Sequence, residues 1–312
     1  MENIILSLNV VLPLFLTTML GYLIRRIKMI DENTLKVMNN ITFKIFLPIL
    51  LFNNVYKTNL NGTFNIKLMF FAPVSIIVSC ICMCIIIPLI EKENRKRGVL
   101  IQTIFRSNFV LFGIPVVLSL FGDEGAGITS LLIMVVVPLF NFLAVIVLEV
   151  FRGGEISIED IARGIIKNPL IISSVLGLIM MLMEIKLPIF LEKTIGDISK
   201  IATPLALIIL GGSFEFNKIK GNIRNIFIGV VGRLIIIPSI FVPIAITMGF
   251  RNIELASVLI MFSAPTAVSS FTMAQQMDAD SELAGQLVVF TTGFSIITIF
   301  FWILVVKELG YF

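Results

Sequence analysis

Long apolar runs alternate with short polar segments along the whole chain. Most of the runs approach 20 residues, the length at which an α-helix crosses about 30 Å of hydrocarbon. Helices are expected because a helix satisfies its own backbone groups, which lipid cannot do. The pattern predicts ten membrane-spanning helices, at about 4–24, 35–56, 67–90, 99–121, 127–151, 169–185, 198–213, 225–249, 254–276 and 284–306.

Composition agrees with this pattern and excludes a water-soluble globule. Hydrophobic residues make up 57% of the chain and charged residues 14%, with a mean hydropathy of +1.04. A soluble domain is about 45–50% apolar and about 25% charged. The N-terminus carries Glu2 and no cation before the first apolar run, so that run is predicted to be a span, not a removable signal peptide. The chain is therefore expected to be an all-α integral membrane protein.

Positive charge follows the loops in a way that predicts orientation. Lys and Arg gather after the first, third, fifth and seventh spans, at 25–28, 92–97, 152–167 and 218–224. The side richer in Lys and Arg is cytoplasmic by the positive-inside rule, which places both termini outside a cell membrane. This bias also explains the net charge of +4 without a nucleic-acid partner.

A short polar segment divides the spans into two equal sets. Residues 152–168 are predicted to form a cytoplasmic linker with a short interfacial helix, between a first repeat at 1–151 and a second at 169–312. Five spans per half force the second half to enter the membrane upside down relative to the first. Pro48 and Pro204 occupy matching places in the two halves, as do Pro115 and Pro265. The sequence therefore predicts two inverted five-helix repeats.

Spans four and nine contain helix breakers inside apolar runs. Proline interrupts a helix but starts one well, so Gly113 is predicted to close one half-helix and Pro115 to open the next. Residues 263–266, Ser-Ala-Pro-Thr, predict the same kind of break in span nine. If the two broken helices cross, two positive half-helix N-termini meet and form a site for an anion.

Polar side chains near the breaks complete the predicted substrate site. The candidates are Asn108, Gly113, Pro115, Ser263, Pro265, Thr266, Ser269, Asn53, Asn141 and Arg106. For the amide and hydroxyl residues, hydrogen bonding between helices is the alternative. Arg106 either contacts a carboxylate substrate or extends to the inner surface, and for Arg233 extension to the surface is favoured.

Other chemistry is disfavoured by the sequence. The chain has no histidine, and its three cysteines, Cys80, Cys82 and Cys84, do not share one helix face, so neither a metal site nor a cofactor is predicted. No GxxxxGK[ST] motif for ATP is present. No nucleophile–base arrangement can be identified, so an enzyme is not expected.

Several stretches resemble the auxin efflux carrier family, which includes plant PIN transporters and bacterial permeases for malate, malonate and related acids. The stretches span nearly the whole chain in the family's order: FLPILLFNN (46–54), RSNFVLFGIP (106–115), KNPLIISSVLGLI (167–179), ATPLALIILGGSF (202–214), GRLIIIPSI (232–240) and SAPTAVSSFTMAQQM (263–277). The resemblance implies ten helices in two inverted repeats with broken, crossing helices four and nine, a fold similar to that of NhaA antiporters and bile-acid symporters. It also implies a fixed scaffold of spans one, two, six and seven, and an elevator-like movement of the other spans.

The resemblance further implies roles for particular residues. Pro115 and Pro265 match the crossover prolines, and Asn108 matches the asparagine before the first crossover. Asn53 and Asn141 stand where plant carriers have a histidine and a tyrosine, so an acid other than auxin is expected. The expected function is transport of a small organic anion such as malate or malonate by alternating access. A membrane sensor that binds a ligand without moving it is the alternative. The acid carried, the direction, a coupling H+ or Na+ and a homodimer are left open.

Overall fold

The described part of the protein is helical throughout. The structure is a computed structural model that describes residues 2–57, 65–122, 124–152 and 158–312, and within these residues it contains no β-strand. The α-helices in chain order are α1 (Glu2–Arg26), α2 (Glu32–Ile41), α3 (Leu47–Tyr56), α4 (Ile66–Ile90), α5 (Asn94–Phe105), α6 (Phe109–Phe121), α7 (Glu124–Val150), α8 (Ile158–Ile166), α9 (Pro169–Leu182), α10 (Ile189–Ser213), α11 (Ile219–Val231), α12 (Ile237–Thr247), α13 (Asn252–Ser263), α14 (Ser269–Gln276) and α15 (Ser281–Glu308).

Short turns of other helix types join some of these helices. A π-helical turn at Thr42–Phe46 connects α2 to α3, and a second at Gly232–Ile236 connects α11 to α12. A 3-10 turn at Phe216–Lys218 precedes α11. Each π-helical turn is followed by a proline, Pro48 or Pro238, in the first turn of the next helix. The chain thus stays helical from α2 to α3 and from α11 to α12.

Seven helical stretches of the described residues are long and apolar enough to cross a membrane. They are Glu32–Tyr56, Ile66–Ile90, Asn94–Phe121, Gly127–Val150, Ile189–Ser213, Phe216–Thr247 and Ser281–Glu308. The prediction of a multi-pass, all-α membrane protein is therefore confirmed. α9 and α13 are shorter apolar helices in two further predicted spans. The ten-span inverted repeat stays a prediction.

Close helix crossings hold the bundle together. α1 packs along α10, and α3 packs against both α9 and α10. A Cβ added at Gly211 would lie 1.8 Å from the carbonyl oxygen of Thr18, and one added at Gly21 would lie 2.1 Å from that of Ile208. Glycine is required at both places because the two backbones touch. On the other side of the bundle, α7 packs against α4, α5, α6 and α13.

Two helices are interrupted inside the bundle, at 106–108 and at 264–268. The second interruption is where the sequence predicts it, with Pro265 in the break. The first is not: Gly113 and Pro115 both lie within α6, so the prediction that they close and open half-helices is wrong. Pro115 is exposed in the middle of α6, and a membrane helix tolerates one lost hydrogen bond of this kind.

The predicted linker contains the helix α8, as expected for residues 152–168, although 153–157 lie outside the described residues. Ile165 on α8 packs against the main core cluster, whereas Ile166 is largely exposed. α8 also contacts α7 and α9. This helix therefore has one face on the bundle and another away from it.

Candidate functional site

A cavity of about 110 Å³ lies where the interrupted helices meet. It is lined by α3, α9 and α10, and by the 106–108 break, α6, α7, the end of the 264–268 break and the start of α14. A water molecule takes about 30 Å³ of liquid volume, so the space suits a few waters or one small molecule. Most of the lining is apolar; the polar residues are Asn54, Arg106, Ser107, Asn108, Asn141, Thr203 and Ser269.

Arg106 brings a positive charge into this cavity. Only 2% of the residue is exposed. One terminal nitrogen, Nη2, donates to Asn141 Oδ1 at 2.6 Å and to Ser269 Oγ at 2.7 Å. The other, Nη1, contacts Ser270 Oγ at 3.4 Å and Met273 Sδ at 2.9 Å. The guanidinium is thereby held between α7 and α14, and extension of Arg106 to the membrane surface is excluded.

None of the partners of Arg106 neutralises its charge. All four are uncharged side chains. Among the described residues the only buried charged side chains are Arg106 and Arg233, and no Asp or Glu is buried. A buried charge without a counter-ion is costly, because the surrounding protein solvates it less well than water does. The cavity is therefore electropositive and suited to a negatively charged guest.

Asn108 and Ser107 add hydrogen-bonding groups that no protein group uses. The amide nitrogen of Asn108 and the hydroxyl of Ser107 are buried without a hydrogen-bond partner in the structure. Both residues line the cavity and lie in the first break. Buried polar groups are normally paired, and leaving one unpaired costs about 1–3 kcal/mol. A bound molecule that accepts from the Asn108 amide would remove that cost.

Helix ends reinforce the positive character of the cavity. Residues 109–111, the first turn of α6, and Ser269, the first residue of α14, all line it. The first backbone N–H groups of a helix have no intrahelical acceptor and carry the positive end of its dipole. The two helix N-termini and Arg106 thus all add positive potential to the cavity. The meeting of two positive half-helix ends as an anion site stays a prediction, and in this structure the first of these helix ends begins at Phe109.

The structure brings four of the predicted site residues to the cavity: Arg106, Asn108, Asn141 and Ser269. Three more are buried in or beside the second break without lining the cavity: Ser263, Pro265 and Thr266. The carbonyl of Pro265 accepts from the backbone N–H of Asn108, and the N–H of Thr266 donates to Thr291 Oγ1 at 3.3 Å. These three residues therefore shape the crossing and do not line the cavity itself.

Gly113, Pro115 and Asn53 lie apart from the cavity. Gly113 packs under the ring of Phe109, where a Cβ would come within 2.7 Å of a ring carbon. Asn53 Nδ2 donates to Ser199 Oγ on α10 at 3.2 Å. Its neighbour Asn54 lines the cavity instead. The spacing of Leu47, Leu50, Leu51 and Asn54, all on one helix face, could have identified Asn54 from the sequence.

The prediction for Arg233 is also wrong. The sequence favours extension of Arg233 to the membrane surface, but the residue is completely buried. Its guanidinium donates to backbone carbonyls at the helix breaks, including those of Met261 and Ala264 at 2.8 Å. A buried arginine can stay in the membrane interior when carbonyls accept its hydrogen bonds. No local pattern predicts this, because the acceptors belong to helices distant in the chain.

Known proteins with similar sequences are membrane transporters. A family described as "Membrane transport protein" matches residues 6–303. An "Uncharacterized transporter" of Methanocaldococcus jannaschii is 25% identical over 95% of this chain and 98% of its own length. Another, of Methanothermobacter thermautotrophicus, is 24% identical over 95% and 97%. A "Putative malonate transporter" of Rhizobium meliloti is 26% identical, over 45% of this chain and 44% of its own length.

Proposed function

This chain belongs to the family of membrane transport proteins, and we propose that it carries small organic anions across the cell membrane. The relatives that match over nearly their whole length are likewise transporters and not enzymes. We also propose which class of substrate it carries, which site binds the substrate and how that site reaches both sides of the membrane.

The observation that carries the proposal is the uncompensated charge of Arg106. This guanidinium faces a cavity whose other polar lining groups are neutral, and no acidic side chain is buried among the described residues. An anion would provide the missing counter-charge, and one of its oxygens would take the place of Asn141 Oδ1 or Ser269 Oγ as an acceptor for Arg106 Nη2. The amide of Asn108 and the N-terminal turns of α6 and α14 would bind the remaining oxygens.

The size of the cavity is compatible with the proposed substrate class. A space of about 110 Å³ has room for a small acid such as malonate or malate. The name of the relative in Rhizobium meliloti, "Putative malonate transporter", supports the same class, although the match covers less than half of either chain. Malonate is therefore the first compound to test, followed by malate.

The position of the cavity supports alternating access. α3, α9 and α10 contribute one wall, while the broken helices and α7 contribute the other. Sliding of the second group past the first would carry a bound anion from one side of the membrane to the other, as an elevator-like, secondary-active or facilitative transporter does. The proposed orientation, with residues 92–97 and 218–224 in the cytoplasm and both termini outside, follows from the charge bias of the loops.

Uptake into proteoliposomes tests the proposal directly. Purified protein is reconstituted, and accumulation of radiolabelled malonate, malate and lactate is compared with that in protein-free vesicles. We expect saturable flux of at least one dicarboxylate, competed by the unlabelled acid. Uptake of amino-acid cations or sugars with no carboxylate flux would contradict the proposal.

A further inference from the structure

Arg233 contacts both broken helices from a third position in the bundle. Its Nε donates to the carbonyl of Ala264 at 2.8 Å, and its Nη2 donates to that of Met261 at 2.8 Å. Its Nη1 lies 3.1 Å from the carbonyl oxygen of Ile104 and 3.3 Å from that of Phe105. One guanidinium therefore binds four backbone carbonyls from two separate helices.

These carbonyls belong to the C-terminal ends of the two half-helices. α5 ends at Phe105 and α13 ends at Ser263. The last four carbonyls of a helix have no intrahelical donor and carry the negative end of its dipole. In a membrane no water reaches them, so a protein group must satisfy them. Arg233 satisfies both ends with one charge.

The two buried arginines therefore contact different groups at the crossing. Arg106 lies in the cavity beside the N-terminal turns of α6 and α14. Arg233 lies at the C-terminal ends of α5 and α13 and does not line the cavity. Without a cation there, two negative helix ends would face each other, and their field would oppose an anion nearby.

We propose that Arg233 is a positioning residue for anion transport, which joins the C-terminal ends of α5 and α13 and screens their negative charge. The inference rests on the proposed anion transport, since it explains how the site next to Arg106 stays electropositive. Arg233 also attaches α5–α6 to α13–α14, so that the two broken helices move as one unit.

The segment that carries Arg233 is itself held in place. A Cβ added to Gly232 would come within 2.9 Å of Ile104 Cδ1, so the π-helical turn packs closely against α5. On the far side, Trp302 Nε1 donates to the carbonyl of Leu234 at 3.0 Å. A π-helical turn leaves carbonyls with irregular bonding, and Trp302 supplies a donor for one of them.

Arginine and lysine should differ at this position. The planar fork of Arg233 reaches carbonyls of two helices at once, whereas a lysine ammonium is a point charge on a flexible stem. R233K would keep the charge but lose some of the hydrogen bonds that link the two helices. R233M would lose the charge and all of these hydrogen bonds. R251M is the matched control, because Arg251 also donates to carbonyls at a helix end, those of Ile246 and Phe250, but is exposed and outside the crossing.

The experiment compares wild type, R233K, R233M and R251M in three measurements: malonate Kd from thermal stabilisation, malonate uptake into proteoliposomes, and hydrogen exchange of 104–108 and 261–266. For R233M we expect a Kd weakened about tenfold or more, lower uptake and faster exchange in both segments. For R233K we expect a Kd close to that of wild type but slower uptake. R251M should match wild type throughout.

Two outcomes would overturn the role of Arg233 in anion transport. One is R233M with the Kd, uptake and exchange of R251M; the other is R233K with a Kd as weak as that of R233M, which would show that charge is not the property that matters. If R233M does not accumulate, R233Q replaces it, since its amide still reaches one carbonyl. Failure of wild type to bind or move any carboxylate would contradict the anion substrate alone. Unchanged hydrogen exchange in R233M would contradict the proposed link between the C-terminal ends of α5 and α13.

Discussion

The backbone N–H of Asn108 donates a hydrogen bond to the carbonyl oxygen of Pro265, across 2.8 Å. Each residue lies in a helix break, so one break supplies the donor and the other the acceptor. Lipid satisfies neither group, and the pairing therefore makes each interruption less costly in the presence of the other. It also fixes the distance between the N-terminal turns of α6 and α14, on which the anion site depends.

The two crossover prolines are predicted to differ in their effect on transport. Pro265 lies in the second break and holds Ala264 in an extended conformation, as residues before proline prefer. In P265A, α13 can extend into the break and displace the carbonyl that Asn108 uses. We expect malonate uptake to fall about tenfold or more, since misplacement of binding groups by about 1 Å can cost a hundredfold.

P115A is the matched control for P265A. Pro115 is exposed within α6, and its replacement restores a backbone N–H to an otherwise regular helix. We expect P115A to keep the uptake of wild type and to be at least as stable in detergent. Loss of uptake in P115A with P265A unaffected would mean that the functional break is at Gly113–Pro115 after all.

Removing the charge of Arg106 should weaken binding without weakening the fold. In R106M the apolar side chain leaves the hydroxyl of Ser269 and the amide of Asn141 free to rearrange, and no buried counter-ion loses its partner. Replacing a buried, uncompensated charge by an apolar group is often neutral or stabilising. We expect R106M to unfold at a temperature equal to or above that of wild type. We also expect that malonate no longer raises this temperature.

R106K separates charge from geometry in the same assay. A lysine keeps the charge but lacks the second terminal nitrogen that contacts Ser270 and Met273. We expect intermediate malonate affinity, about tenfold weaker than that of wild type. A malonate response in R106M as large as that of wild type would refute the role of Arg106 in anion binding.

Hydropathy located the helices well because burial in lipid depends on the local sequence. The predicted span at 225–249 lies within the helical stretch Phe216–Thr247, apart from its last two residues. The start of α10 is less well predicted: it begins at Ile189 and not at 198, because the polar residues Glu192, Lys193 and Asp197 hide its first turns. Those turns extend the helix on the N-terminal side of the apolar run from which the span is predicted.

The two breaks show where local reasoning ends. The break at Pro265 is a property of proline and its preceding residue, so the sequence predicts it correctly. At the break at 106–108, Arg106 contacts Asn141 and Ser269, which lie on other helices. Local sequence cannot pair Arg106 with either partner, and Gly-Ile-Pro is the only helix breaker that it shows in this span. The burial of Arg233 is unpredictable from the sequence for the same reason.

The sequence predicts that Asn53 and Asn108 both contact substrate, and the structure distinguishes them. Asn108 has a buried amide nitrogen without a partner in the cavity wall, whereas Asn53 donates to Ser199 away from it. We expect N108A to raise the KM for malonate about tenfold with little change in stability. N53A should leave the KM unchanged and cost about 1 kcal/mol of stability, the net value of a typical hydrogen bond.

The pH dependence of stability should depend on Glu91, at the end of α4. Partial burial raises the pKa of Glu91, but hydrogen bonds from the backbone N–H of Glu93, the amide of Asn225 and the N–H of Lys92 outweigh it and hold the pKa below its ordinary value. A lowered folded-state pKa adds stability above the unfolded-state pKa of about 4.3. That stability is lost as the pH falls through the folded-state pKa.

E91Q tests this contribution by thermal unfolding in detergent, from neutral pH down to about pH 3.5. At neutral pH we expect E91Q to unfold at a lower temperature than wild type, because the amide accepts fewer hydrogen bonds. The difference should shrink as the pH falls below the ordinary pKa of glutamate. E308Q is the control, at an exposed position near the end of α15. A constant difference between E91Q and wild type at all pH values would contradict the assignment.

The contact between α1 and α10 should make Gly211 the least tolerant glycine of the bundle, and Gly221 provides its matched control. A methyl group at Gly211 would lie 1.8 Å from the carbonyl oxygen of Thr18, whereas one at Gly221 meets nothing within 4 Å. We expect G211A to lose more than about 3 kcal/mol of stability, beyond the usual cost of overpacking, because backbone cannot move aside as a side chain can. G221A, on the exposed face of α11, should gain about 0.5–1 kcal/mol from helix propensity. Thermal unfolding of both variants in the same detergent measures the difference. If G211A were as stable as G221A, α1 and α10 would have to cross farther apart than this structure places them, and the wall of the cavity formed by α10 would shift with them.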